Sequence, residues 1–285
     1  MEIAIPVIET QHHGIDLSRR DIFIWVCAIY FLDQLFGVLA ETSSASLEKL
    51  ITDLSAVGIF QYMAWYAIFR LLVLSDTEPR TRWQDVLIAV LLCFLLFLPT
   101  ARIIWVAAMG AAIYWWIFNA GDPKLRAAAV VLTALSVQAF WGHVLFHLIA
   151  FPVLHAETAV VGTLLEATRD GTVWQDNIIT GPNGHGIVIY DECSAFHNLS
   201  LAMLCWVSVS KLRHQIWRSR DYIVGVAIGT TMILLNVSRL FLMAWNIDLY
   251  HYWHEGSGAA IFAVGASLSV LLLSLYGSRS ARPLT

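Results

Sequence analysis

Eight apolar runs follow one another along the chain with only short polar breaks, at approximately 21–40, 56–75, 84–98, 102–119, 126–150, 194–210, 222–245 and 257–276. About 20 apolar residues in a helix cross about 30 Å of hydrocarbon. Inside hydrocarbon every backbone N–H and C=O must find its partner within the protein, which restricts a spanning chain to helices or a closed barrel. The runs lack the alternating pattern of barrel strands. The expected class is therefore an all-α integral membrane protein with about eight transmembrane helices. A hydrophobic share of 58% against a charged share of 13% agrees with that class and excludes an ordinary water-solvated globule. Residues 1–18 are polar and lack a continuous apolar core, so the first span is expected to serve as its own insertion signal.

Orientation follows from the basic residues, which are retained in cytoplasmic loops. With the N-terminus inside, the cytoplasmic ends and loops hold Arg19, Arg20, Arg70, Arg80, Arg82, Lys124, Arg126, Lys211, Arg213, Arg218, Arg220, Arg279 and Arg282. Only Lys49, Arg102, Arg169 and Arg239 fall on the other side. Both termini are expected inside, and the loops 41–55, 151–193 and 246–256 outside. The organisation expected is a cytoplasmic segment over 1–20, a single membrane domain over 21–277 with an extracytoplasmic loop at 151–193, and a cytoplasmic tail over 278–285. The net charge of −4 carries less information than its distribution, and nothing in the chain points to nucleic acid.

That topology singles out one cysteine. Cys27, Cys93 and Cys205 lie inside apolar runs, where a thiol behaves as a small hydrophobe. Cys193 lies at the outer mouth of the sixth span, with no second boundary cysteine to pair with. A reactive thiol needs a base or a positive charge beside it. The segment LLNVSRLFLMAWN places Arg239 about two turns inside the outer end of the seventh span, and HYWHEGSGAAIF places His254 at the outer start of the eighth. Short loops at 211–221 and 246–256 make these three spans neighbours. An imidazole with a reference pKa near ~6.5 can take the thiol proton and return it to a leaving amine. A guanidinium stays charged in apolar surroundings and can stabilise both a thiolate and an oxyanion. Asp33, two turns from the outer end of the first span, is the candidate partner for Arg239. Taken singly, each residue has a plainer explanation: inert packing for the cysteine, an interfacial anchor for the histidine, snorkelling for the arginine.

Together these residues resemble the exosortases and archaeosortases, multi-spanning membrane cysteine transpeptidases. Their pattern is Cys-Ser-Gly at a helix start, Asn-x-x-Arg late in the next helix, and His followed four residues on by Gly. Here stand Cys193-Ser194-Ala195, Asn236-Val237-Ser238-Arg239, and His254 with Gly258. The polar segment RDGTVWQDNIITGPNGHGIVIYDE resembles the family's extracytoplasmic loop. Ala195 takes the place of the usual Gly, and His197 that of an Arg in many members. The resemblance implies a protease or transpeptidase of the inner (plasma) membrane with its site on the extracytoplasmic face and no cofactor. Cys193, Arg239 and His254 would be catalytic, with Ser194, Asn236, Asp33 and His197 supporting. Its partners would be secreted proteins carrying a C-terminal motif, a transmembrane helix and a basic cluster, besides membrane lipids and an envelope acceptor of unspecified chemistry.

Two other classes compete. His143 and His147 lie one turn apart on the fifth span, and with His155, His251 or Cys193 they could hold zinc for a membrane hydrolase, although no HExxH is present. A non-catalytic transporter or assembly subunit would show discontinuous spans in repeated halves or a line of intramembrane charges, which are missing. The loop before Cys193 has β-branched and aromatic residues flanking GPNGHG, the chemistry of a hairpin whose open edge could receive an extended peptide.

Overall fold

The computed structural model describes residues 18–42, 58–75, 81–95, 101–190 and 193–279. The expected outer loop 41–55 lies almost wholly outside them. Helices α1 (Arg19–Thr42), α2 (Ile59–Val73), α3 (Trp83–Leu95), α4 (Ala101–Phe118) and α5 (Pro123–Ser136) come first. A π-helical turn over Val137–Trp141 leads into α6 (Gly142–Glu166). Then follow strands β1 (Val173–Gln175), β2 (Ile178–Thr180) and β3 (Gly186–Val188), and helices α7 (Ala195–Arg213), α8 (Ser219–Trp245), α9 (Ile247–His254) and α10 (Ser257–Gly277). The chain is mostly helical, as expected.

Among the described residues, three helices are long and apolar enough to cross a membrane: Val144–Glu166 within α6, and α8 and α10. The expectation of eight spans is met only in that part. Helices α2 and α3 are apolar but hold 15 and 13 residues, below the roughly 20 that a perpendicular crossing takes. The fifth expected span is also redrawn. It divides at the π-helical turn, and α6 continues through Pro152 as far as Glu166, well into the expected loop 151–193. A proline inside an apolar helix is tolerated where neighbouring groups take up the backbone positions it frees, so Pro152 does not act as the boundary it suggests in a linear reading.

Local chemistry sets the helix ends. Asp122 accepts from the N–H groups of Lys124 (2.8 Å) and Leu125 (3.0 Å), and Pro123 at the first helical position starts α5 with a φ already suited to it. The ends expected to be cytoplasmic meet at one end of the bundle. Arg19 Nε donates to Asp85 at 2.8 Å in a fully buried pair, and Arg19 also reaches Asn119 Oδ1 at 3.0 Å and the Phe118 carbonyl at 3.1 Å. Arg213 donates to the Leu275 carbonyl, and His214 to that of Ser278. Desolvated charges persist only when paired and hydrogen-bonded, which these contacts supply for Arg19.

Among the described residues, packing forms three cores. The largest joins α1, α2, α4, α5 and α7 through Phe23, Trp65, Trp115, Leu132 and Leu204. A second joins α2, α7, α8 and α10 through Phe60, Cys205, Met232 and Val270. The third lies at the opposite end from the Arg19 network and joins α6, the sheet and α8 through Val161, Ile179, Ile187, Ile189 and Leu240. The sheet is antiparallel in the order β1-β2-β3, so the hairpin expected around GPNGHG carries an additional strand. Asp176, with φ 52°, begins the tight turn between β1 and β2. Trp174 packs against α6 at Gly162, where a Cβ would stand 2.4 Å from the indole. Arg169 donates to the Trp245 carbonyl and His185 Nε2 to that of Met243 at 3.0 Å, which fixes the sheet to the end of α8.

Candidate active site

Cys193 sits in the turn between β3 and α7, half-buried, its N–H donating to the Tyr190 carbonyl at 2.9 Å. The next residue, Ser194, is the N-cap of α7; its hydroxyl accepts from the Phe196 N–H at 3.2 Å, satisfying one of the donors a helix start leaves open. Asn236, fully buried on α8, donates from Nδ2 to the Cys193 carbonyl at 2.9 Å. The chain therefore holds the cysteine from both flanks, by a helix cap on one side and an amide from the neighbouring helix on the other.

Arg239 lies three residues, one helical turn, beyond Asn236 on the same face of α8. Its Nε donates to the Trp253 carbonyl at 3.1 Å, and its guanidinium lies 4.9 Å from the centre of the Phe262 ring. Cys193 is within Coulombic range of it. His254 ends α9, a short helix that the linear reading took for a loop; Asn246 starts that helix by accepting from the Leu249 N–H at 2.7 Å. The imidazole stacks on Tyr250 with ring centres 4.9 Å apart. Its Nδ1 lies 3.6 Å from the Glu255 carboxylate, beyond hydrogen-bond length, and so is buried without a hydrogen-bond partner. Gly258 is explained by α9 as well. A Cβ there would stand 2.6 Å from the Tyr252 ring, so only glycine lets α9 fold back on the start of α10.

Cys193 and His254 line one cavity of about 320 Å³, with His185, Gly186, Ile187, Val188 and Tyr190 on one wall and Leu240, Met243, Ile247 and Tyr250 on the other. Arg239 lines a second cavity of similar size between α2, α7, α8 and α10, mostly apolar, with Asn198 and Ser267 as its other polar side chains. The three residues singled out in the sequence thus gather at one end of the bundle. Two share a cavity, and the third is tied to the residue preceding the histidine.

Other expectations fare differently. Asp33 is exposed on α1 and is not brought to Arg239, whose contacts go to α9 and α10 instead. His197 falls in the first turn of α7 and His143 at the start of α6, but their side chains lie outside the described residues. His147, His155 and His251 are exposed, and among the described residues no three His, Cys, Asp or Glu side chains converge as a metal site would require.

One residue was missed altogether. Glu157, on α6, accepts from the Ser194 hydroxyl and from the Ala195 N–H, each at 2.9 Å, while its Oε2 is buried with no hydrogen-bond partner. It caps α7 from outside that helix. The Phe146 and Phe196 rings meet at 5.0 Å, so residues eleven apart on α6, about 16 Å of helix, both touch the first turn of α7. Helix α6 therefore crosses the end of α7 that carries the cysteine. A carboxylate within the apolar run FPVLHAETAVV was the available signal, because such groups in an apolar helix carry partners by default.

With this geometry in place, the comparison with known families is decisive: the transmembrane exosortase model (Exosortase_EpsH) matches residues 22–271, well over half the chain. The chain belongs to the transmembrane exosortase family. That membership assigns this exosortase, in coarse terms, to the membrane transpeptidases that process secreted proteins bearing C-terminal sorting signals. No curated protein and no solved structure matches it. The matched span contains Cys193, Asn236, Arg239, His254 and also Glu157.

Proposed function

We propose that this exosortase cleaves its substrates through Cys193. The Cys193 thiol gives its proton to His254, and Sγ attacks the scissile carbonyl carbon to form a C–S bond. The tetrahedral intermediate collapses as the C–N bond breaks, and His254 returns the proton to the leaving amine. A thioester remains on the processed protein. An acceptor nucleophile of the envelope then attacks that carbonyl and gives its proton to His254; the C–S bond breaks, and His254 returns the proton to the Cys193 thiolate. The tail left in the bilayer is the substrate's own transmembrane helix and basic end. The site faces the extracytoplasmic side of the plasma membrane.

Arg239 stabilises the oxyanion and the thiolate. In many acyl-transfer sites backbone N–H groups do the former work. Here the Ala195 N–H at the start of α7 is taken by Glu157, which leaves the guanidinium as the strong donor near the cysteine. Of its five N–H donors, the Trp253 carbonyl takes one. Asn236 acts as a positioning residue through the Cys193 carbonyl. The observation that carries this reading is the single cavity shared by Cys193 and His254, with Arg239 in Coulombic range of the sulfur.

The test uses membranes holding the full chain and a secreted protein of the same cell whose C-terminal tail is lost in its presence. Cys193→Ala and N-ethylmaleimide should each abolish tail loss, while EDTA should leave it unchanged. Tail loss that survives Cys193→Ala, or that EDTA stops, would defeat the thiol mechanism.

A further inference from the structure

Among the described residues, the strand that precedes the proposed nucleophile pairs on one side only: in the order β1-β2-β3, β3 has β2 alone as a neighbour. Its register with β2 sets Ile178 against Val188, Ile179 against Ile187 and Thr180 against Gly186. The Gly181 N–H donates to the His185 carbonyl at 2.8 Å, and the Ile189 N–H to the Asn177 carbonyl at 2.8 Å. Antiparallel pairs alternate between hydrogen-bonded and non-bonded, so the bonded pairs are 177 with 189, 179 with 187 and 181 with 185. The backbone groups of Ile187 are thereby committed to β2. Those of Gly186 and Val188, one N–H and one C=O each, point the other way.

The same strand lines the cavity. Gly186, Ile187 and Val188 form one wall of the space that Cys193 and His254 also line, and α8 with α9 forms the wall opposite. Three strand residues span about 10 Å. We propose that the substrate segment around its scissile bond binds as a fourth strand on the open edge of β3. It lies between that edge and the wall of Leu240, Met243 and Ile247, with one end at Cys193. This rests on the thiol reading above and adds the conformation of the substrate: extended, and held by up to four backbone hydrogen bonds at Gly186 and Val188. Backbone pairing supplies affinity without regard to sequence. Specificity then comes from alternate side chains, one set meeting the apolar wall and His185, Tyr250 and His254 offering polar atoms to the segment.

The arrangement also accounts for how the sheet is tied down. Strand β3 is short and the sheet is small, yet Arg169 and His185 fasten it to two carbonyls at the end of α8. An edge meant to receive a peptide at a fixed distance from a nucleophile needs such fixing, because a misplacement of about 1 Å can cost on the order of 100-fold in rate.

The experiment uses a secreted protein whose tail loss requires Cys193, in two measurements. Val188→Pro removes the outward N–H without removing a sheet bond, since proline is tolerated where a strand's N–H faces away from its neighbour. It should raise KM about tenfold, the scale of one or two lost hydrogen bonds, with the rate of Cys193 alkylation by N-ethylmaleimide unchanged. An unaltered KM would overturn the proposal. The second measurement avoids any risk of misfolding from proline. In Cys193→Ala protein, a saturating tail peptide should slow hydrogen exchange at the Gly186 and Val188 amides and leave that of Ile187 as it was. Unchanged exchange at both overturns strand addition. Tail loss that does not need Cys193 bears instead on the thiol mechanism and is detected before either measurement begins.

Discussion

Replacing Glu157 should slow this exosortase without touching any group that meets substrate. Glu157→Ala removes the acceptor for two donors at the start of α7, the Ser194 hydroxyl and the Ala195 N–H, both at 2.9 Å. Ser194 and Ala195 are 0% and 3% exposed, so water does not readily replace the carboxylate. The Ser194 hydroxyl keeps its own bond from the Phe196 N–H, so the helix retains its N-cap and loses only the outside support. An unsatisfied buried donor costs about 1–3 kcal/mol, and the substitution leaves two of them. A total near 3 kcal/mol, roughly 2 to 4, is expected in stability. The effect on rate is larger in consequence, because the turn that relaxes is the one carrying Cys193. Displacement of a reacting group by about 1 Å predicts a fall of roughly 100-fold in kcat.

Glu157→Gln separates geometry from charge. Its amide oxygen can accept both bonds, and its amide nitrogen falls where Oε2 is buried without a partner, so neither form is fully satisfied there. Processing by Glu157→Gln should stay within about tenfold of the parent, an allowance of about 1.4 kcal/mol for the changed hydrogen bonds. The assay is tail loss of a Cys193-dependent substrate in membranes, read beside the alkylation rate of Cys193. Parental values for Glu157→Ala would refute the reasoning. So would a Glu157→Gln variant as slow as the alanine, since the charge rather than the acceptor position would then matter.

Two further outcomes follow from the same contacts. Arg239→Lys should lose at least about 100-fold in kcat, because a single ammonium cannot meet the Trp253 carbonyl and also reach an oxyanion, and removing an oxyanion donor has that scale; processing rates of the purified variant check it. At the far end of the bundle, Arg19→Ala should destabilise by about 3–5 kcal/mol by leaving Asp85 buried and uncompensated. Arg19→Met with Asp85→Leu should recover most of that loss, and thermal unfolding in detergent distinguishes the two variants.

How much of this was legible beforehand depends on what kind of contact made it. Cys193, Arg239 and His254 could be brought together on paper because consecutive helices joined by short connections must be neighbours, and the structure gathers them at one end. The hairpin was legible from GPNGHG between β-branched runs, though β1 was not, since nothing in VWQ distinguishes a third strand from a flank. Helix α9 escaped because eight residues with three aromatics and two histidines look like an interfacial loop until Asn246 is seen capping them. Asp33 and Arg239 illustrate another limit of a linear reading. The expected pairing matched opposite charges by depth alone, whereas the guanidinium meets a carbonyl on α9 and a ring on α10.

Glu157 marks the general boundary. Its acidity inside an apolar run announces that some partner exists, but the partner is Ser194, thirty-seven residues away across a sheet and on a helix met end-on. Periodicity and loop length constrain which helices lie side by side, and they say nothing about one helix crossing the end of another. That crossing is what places a carboxylate on the first turn of α7, and the same crossing occupies the Ala195 N–H. On the thiol mechanism proposed above, the need for a cationic oxyanion donor at Arg239 would originate in the path of α6, a helix that supplies none of the described residues lining the cavity of the cysteine and the histidine.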